Sequence, residues 1–355
     1  MPVMTSVSRR AFLATCMGTA ACLRTRAGHA EPPLPTYAAA AMTAGRLRFS
    51  GADTMHDLVA AWARGFNRFQ PRVGIDNAAT KLSAEGFDAL LDGRADVVTF
   101  VREPFPSELD AFARKFGYAP TLVNVAGGSY ATKSGTHALA IFVNSANPIA
   151  RISLDELDAI YSKDRRRGGK AILTWGQLGI GGDWESRPIH VYGMPHLRES
   201  GNPPGIVNFF QQRVLRGGEF REDIREQADR PGETALDAIV RRVAEDSRGI
   251  GYSGFAYAAP GTKTLALAEA LHGHGPYFAG TPDEVARRDY PLSRQIYLGI
   301  NRVPGKPLQP ALREFLLFVL SRQGQLIAAN DRMRFLPLTP AQTWASRNAL
   351  LGAGG

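Results

Sequence analysis

The chain has 355 residues, 44% hydrophobic and 21% charged, with 42 Lys and Arg against 33 Asp and Glu and a formal net charge of +9. That length and hydrophobic content allow a sizeable core in one or two lobes and exclude a disordered chain. Acidic residues are interspersed with arginine throughout and no extended basic block appears, so no nucleic-acid partner is expected.

The first thirty residues read as an export leader. Ser8-Arg9-Arg10-Ala11-Phe12-Leu13 opens onto an apolar run from Ala11 to Leu23, and Gly28-His29-Ala30 ends the segment. Paired arginines ahead of a short, weakly apolar core predict a twin-arginine signal over residues 1–30, cleaved after Ala30. The run is too short for a stable membrane span. The alternative is lipid anchoring at Cys22, after the small residues Thr19-Ala20-Ala21. Both cysteines, Cys16 and Cys22, fall in this leader, so the mature chain has no disulfide, thiolate nucleophile or cysteine metal site. Cleavage removes Arg9, Arg10, Arg24 and Arg26, taking the basic count from 42 to 38 against 33 acidic residues, a mild +5.

Residues 31–45, rich in Pro and Ala, read as a linker. The strand Leu47 to Ser50 then breaks at Gly51 and turns into a helix whose Met55, Leu58, Val59, Trp62, Phe66 and Phe69 recur at three- and four-residue spacing. Asp53 or Thr54 is expected at its cap, and a fresh helix start offers free N–H groups and a positive dipole end to an anion. Next come a strand near Val73–Asp76, a helix over Ala84–Leu91, a strand over Asp96–Val101, a helix opened by the box-like Ser107-Glu108-Leu109-Asp110, and a strand over His137–Val143. Ser153-Leu154-Asp155-Glu156 is a capping box for another helix, and Ile189–Tyr192 is a strand running into Gly193. Helices over Gly205–Leu215 and Thr234–Glu245, a glycine-spaced strand over Gly249–Gly254, a strand over Gln295–Ile300 and a helix over Leu312–Ala329 complete the body. This alternation predicts an α/β protein of two lobes with mixed, mainly parallel sheets.

Catalytic chemistry has little support. Tyr252-Ser253-Gly254 lacks the second glycine of a nucleophile elbow, because position 255 is Phe. His272-Gly273-His274 has no evident third ligand, and Arg165-Arg166-Arg167 reads as a solvated loop, with contact to a membrane partner as the alternative. No Ser-His-Asp, metal-ligand or paired-carboxylate constellation can be assembled, so no enzyme, metal or cofactor is expected; a secreted hydrolase is the remote rival.

The order of the fragments carries a resemblance. GADTMHDLVAAWARGF (51–66), FVREPF (100–105), LDAIYSKDRRRGG (157–169) with TWGQLG (174–179), RPIHVYG (187–193), RGIGYSGFAY (248–257) and the segment YPLSRQIYLGINRVPGKPLQPALREFLLFVLSRQGQ (290–325) resemble the phosphate-binding family of periplasmic substrate-binding proteins of ABC importers. The similarity runs from about residue 46 to 340. It implies a type II-like binding-protein fold with crossing hinge strands, lobe 1 from 46–136 and 292–340, lobe 2 from 137–291, and a C-terminal tail over 341–355. It also implies a monomer in the periplasm that encloses a small anion in the interlobe cleft and delivers it to an ABC permease.

The resemblance further places the ligand between the Gly51-Ala52-Asp53-Thr54 turn, Arg102, and the loop carrying Arg198, Ser200, Gly201 and Asn202. Hydroxyls and N–H groups would donate to a tetrahedral oxyanion, and a planar arginine would add a charge-assisted fork. The match is partial: the family's serines stand as Ala52 and Val101, and the stretch 194–205 is longer and lacks its regular serines. His196, Thr80, Lys81 and Ser83 are the residues that could compensate, while Glu103 is positioned to neutralise Arg102. The alternative is a binding fold with a different ligand, or an envelope interaction or sensing role.

Overall fold

A computed structural model describes residues 32–352 apart from positions 81, 131, 134, 197–201 and 271–274. The leader, Lys81, Arg198, Ser200, Gly201, His272 and His274 lie outside the described residues. Among those described, no helix is long and apolar enough to cross a membrane.

The first sheet begins with β1 (Gly45–Ala52), followed by a single 3-10 turn over Asp53–Met55 and α1 (His56–Asn67). Met55, Leu58, Val59, Trp62 and Phe66 are fully buried, the apolar face that their spacing predicts. Neither Asp53 nor Thr54 caps the helix through its side chain: the helix enters through the 3-10 turn, which leaves both side chains out of the capping geometry. There follow β2 (Val73–Thr80), α2 (Ser83–Leu91), β3 (Val97–Phe100), α3 (Pro106–Phe116) and β4 (Thr121–Ser129). Helix α3 starts earlier than its box-like sequence suggests, because Pro106 is preorganised for the first turn and Glu108 accepts from Phe105 N at 2.7 Å.

The chain continues through β5 (Leu139–Asn144), β6 (Arg151–Ser153), α4 (Leu154–Tyr161), β7 (His190–Gly193), α5 (Gly205–Arg213), β8 (Arg225–Glu226), α6 (Ala235–Glu245) and β9 (Gly249–Gly254), of which β5, β7, β8 and β9 belong to the second sheet. The capping box at Ser153 forms, with Ser153 N donating to Glu156 at 2.7 Å and Ser153 Oγ accepting from Glu156 N at 3.2 Å. Arg167 is not a solvated charge: its side chain is 4% exposed and donates at 2.6 Å to the carbonyls of Arg213 and Val214, at the C-terminus of α5. The short β10 (Thr262–Thr264) and β11 (Ala266–Ala268) and helix α7 (Pro282–Arg287) complete this part.

The chain then returns through β12 (Gln295–Ile300), α8 (Pro310–Val319), α9 (Arg322–Ala329), β13 (Phe335–Leu336) and α10 (Pro340–Gly352). What the sequence suggests as one helix over Leu312–Ala329 is two. Ser321 Oγ accepts from Gly324 N at 3.3 Å and starts a second N-terminus, and Gly324 packs so tightly that a Cβ would lie 2.4 Å from the carbonyls of Phe318 and Val319.

The strands order as β13-β4-β12-β3-β1-β2 and β10-β5-β9-β7-β8, with β11-β6 as a separate pair. Among the described residues, parallel and antiparallel strand pairings are equal in number, a larger antiparallel share than strand-helix alternation implies. The antiparallel pairs gather around β4, β5 and β12, the strands that flank the crossings. One apolar core spans Ala138 to Leu292, while another combines Leu47 to Ala126 with Ile296 to Leu350. The two crossing segments touch: Gly128 N donates to Arg294 O at 2.8 Å and Leu139 N to Leu292 O at 3.0 Å. Residues 32–44 hold neither helix nor strand, yet Tyr37 is buried among Phe66, Phe69 and Phe318 and donates to Glu314 at 2.8 Å.

Candidate anion-binding site

Gly51 fixes the geometry of the site. Its φ is +136°, and a Cβ there would stand 2.4 Å from Thr99 Oγ1 on β3. A Cβ on Gly86 of α2 would in turn stand 2.5 Å from Gly51 Cα. Two glycines therefore let the end of β1, β3 and α2 meet without side chains between them. Thr80 Oγ1 tightens the same junction, lying 2.9 Å from both Gly51 O and Leu82 O.

A cavity of about 470 Å³ opens above this junction. Three helix starts face it: Ala52, Asp53 and Thr54 ahead of α1, Leu82, Ser83 and Ala84 at α2, and Asn202, Pro203 and Gly205 at α5. Val101, Arg102 and Phe105 close one side, and Gly135, Thr136 and Arg294 of the crossing segments close another. Converging N-termini present backbone N–H groups and positive dipole ends to one volume. The hydroxyls of Thr54 and Ser83 are buried there with no hydrogen-bond partner among the described residues. Unmade donors of this kind are costly without an acceptor, and an anion supplies one.

Of the residues expected at the site, Ala52, Asp53, Thr54, Arg102 and Asn202 line this cavity. Gly51 lies behind the surface and shapes the turn. Among the compensating candidates, Ser83 lines the cavity and Thr80 does not: its hydroxyl faces backbone carbonyls. His196 is turned elsewhere, paired to Glu226 at 2.6 Å with its ring 4.4 Å from that of Phe220.

The two arginines are held by carboxylates, but not as adjacency in sequence suggests. Arg102 is neutralised by Glu108, with Nη2 and Nη1 at 2.5 and 2.8 Å from its two oxygens, and not by Glu103, whose backbone carbonyl alone accepts from Arg102. Its guanidinium lies 3.7 Å from the centre of the Phe105 ring, and its stem packs on Gly205, where a Cβ would come within 3.0 Å. The Glu103 carboxylate instead receives Arg294 Nη2 at 2.8 Å. Sequence reasoning missed Arg294; its position just ahead of the crossing strand β12 is the signal that could have found it. Nearby, burial and the Arg294 charge lower the pKa of His137 to about 4, so this crossing residue is neutral near pH 7.

The PBP superfamily domain matches residues 36–323. The chain is 36% identical over 314 residues to the phosphate-binding protein PstS of Pseudomonas aeruginosa, covering 88% of this chain and 90% of the relative. It is also similar to protein SphX of Synechococcus elongatus, at 24% over 297 residues, 83% of this chain and 78% of that one. Among solved structures it shares a fold with PstS from Borrelia burgdorferi, with a TM-score of 0.53 at 16% identity over 83% of this chain and 99% of the other. An ABC-type phosphate transport receptor from Vibrio cholerae matches with a TM-score of 0.50 at 18% identity, over 82% and 99% of the two chains. With a family model across most of its length and a relative this similar over nine-tenths of that relative's own length, the chain belongs to the PBP superfamily and, within it, to the family of the phosphate-binding protein PstS.

Proposed function

We propose that this chain is an exported solute-binding protein that captures phosphate, or a related tetrahedral oxyanion, and presents it to an ABC importer, with no catalytic step of its own. The observation that carries this reading is the convergence on one cavity of three helix starts, two arginines, and the hydroxyls of Thr54 and Ser83, which have no partner among the described residues. The proposed ligand contacts are the turn shaped by Gly51 (Ala52, Asp53 and Thr54), Asn202, the remaining N–H of Arg102, and Arg198, Ser200 and Gly201, which lie outside the described residues. The Pseudomonas aeruginosa relative, a phosphate-binding protein by name, supports the ligand class.

In the same reading, residues 46–136 with 292–340 form one lobe and 137–291 the other, the protein works as a periplasmic monomer, and the leader over residues 1–30 sends it there by the twin-arginine route. Titration calorimetry against phosphate and sulfate tests the ligand, and small-angle scattering tests closure, which should lower the radius of gyration at saturation. Heat with neither anion, and no contraction with either, would turn the reading to a diverged ligand or an envelope interaction role. The losses at Ala52 and Val101 and the altered 194–205 stretch favour that second reading.

A further inference from the structure

We infer that Arg294, rather than Arg102, meets the charge of the ligand in this cavity, and that Glu103 is a positioning residue that holds the Arg294 guanidinium in place. This deepens the oxyanion reading above and rests on it. Arg294 sits one residue ahead of β12, with its side chain 4% exposed and lining the cavity. Nη2 is anchored 2.8 Å from Glu103, and the guanidinium carbon lies 5.0 Å from the ring centre of Phe209 on α5. Its Nε–H is buried with no hydrogen-bond partner among the described residues.

An arginine has no acceptor and five donors in a fixed planar fork, so pinning Nη2 on a carboxylate restricts where the remaining donors, Nε–H among them, can point. A buried N–H with no acceptor is the expense that an arriving oxyanion removes. Arg102 is in the opposite condition: both terminal nitrogens are already taken by Glu108 and the Glu103 carbonyl, and its face is covered by Phe105. Arg294 also touches Glu103, which follows β3, and Phe209, which belongs to α5. A ligand gripped by Arg294 is thereby connected to both sheets at the point where the chain crosses between them.

The test is calorimetric titration of the mature protein with inorganic phosphate, at low and moderate salt, for wild type, Arg294→Gln, Arg294→Lys, Arg102→Gln and Glu103→Gln, each checked for folding by circular dichroism. Arg294→Gln should bind about 10- to 100-fold more weakly, the weight of a charge-assisted hydrogen bond, and with a shallower salt dependence, a change that a merely structural role would not produce. Arg294→Lys, which keeps the charge but loses the fork, should fall between the two. Glu103→Gln leaves the guanidinium uncompensated and should steepen the salt dependence. Equal binding by wild type and Arg294→Gln, or a larger loss in Arg102→Gln than in Arg294→Gln, overturns the assignment. Should Arg294→Gln fail to fold, wild-type affinity in Arg294→Lys overturns it instead. An unchanged slope in Glu103→Gln removes the role given to Glu103. Wild type that gives no heat with phosphate here, nor with sulfate in the titration proposed above, defeats the ligand reading itself, and this inference with it.

Discussion

Glu108 takes Arg102 by both terminal nitrogens, at 2.5 and 2.8 Å, and with the same carboxylate accepts the Phe105 N–H at 2.7 Å. One side chain thus caps α3 and neutralises the arginine at the cavity wall. The two side chains are only 11% and 12% exposed, so the pair is a desolvated one, and its rupture leaves a buried cation without a counter-ion.

The consequence is a trade between stability and anion affinity. Glu108→Gln should lower unfolding free energy by about 2–4 kcal/mol, since breaking one side of a buried pair is far costlier than losing a surface contact. The freed Arg102 then offers its fork to the cavity, so phosphate affinity should hold or rise. Urea unfolding and calorimetry on the same variant check both halves. A variant as stable as wild type would show that Glu108 is not the partner on which Arg102 depends.

The hydroxyls of Thr54 and Ser83 should behave in the reverse sense. Both are buried and unpartnered among the described residues, so Thr54→Val and Ser83→Ala remove a desolvated donor that gains nothing in the empty protein. Each variant should be as stable as wild type or up to about 1 kcal/mol more stable, while phosphate binding weakens by about 1.5 kcal/mol, roughly tenfold. Thermal melts with and without phosphate separate the effects. Lower stability without ligand would mean that these hydroxyls serve the fold.

His137 supplies a pH dependence with a defined sign. Burial first, and the Arg294 charge second, lower its pKa from 6.5 to about 4. The unfolded chain therefore binds more protons than the native one between those values, so stability is complete above pH 6.5 and falls as pH drops towards 4. The shift corresponds to about 3 kcal/mol. His137→Gln should flatten that limb of the stability profile. An imidazole resonance titrating near 6.5 in the folded protein would end the claim.

The local features were legible and the long-range ones were not. Gly51 and the apolar face of α1 could be read because their signals, a glycine at a strand end and a three-four spacing, lie within a few turns of chain. The strand β4 escaped because Asn124 and Gly127-Gly128 interrupt its apolar pattern. The break between α8 and α9 escaped because Leu320 and Ser321 sit within a continuous amphipathic pattern, and only the packing of Gly324 on the preceding turn reveals it. At the site, Ala52, Thr54, Arg102 and Asn202 were within reach of the resemblance. The Glu103–Arg294 pair spans 191 residues, and no local spacing could report it. Adjacency suggested Glu103 for Arg102, whereas Glu108, one helical turn into α3, has the geometry to serve both Arg102 and the helix cap.

Gly51 offers the sharpest test of how the site is built. At φ +136°, an L side chain is strained on its own account, and its Cβ would stand 2.4 Å from Thr99 Oγ1 and 2.6 Å from Thr99 O. The neighbouring backbone cannot yield easily, because Gly86 of α2 is pressed against Gly51 from another side. Gly93 makes the control: it too has a positive φ, +68°, but a Cβ there meets nothing within 4 Å. Gly93→Ala should therefore cost only the left-handed penalty of about 1 kcal/mol, with phosphate binding unchanged. Gly51→Ala should cost at least about 3 kcal/mol, the strain plus an overpacking term, and should also weaken phosphate binding, because the turn that presents Ala52 to Thr54 must shift to make room. Denaturant unfolding and calorimetry on the two variants decide it. Equal costs at Gly51 and Gly93 would show that the turn tolerates a side chain and that the close approach of β1, β3 and α2 is not what shapes the cavity.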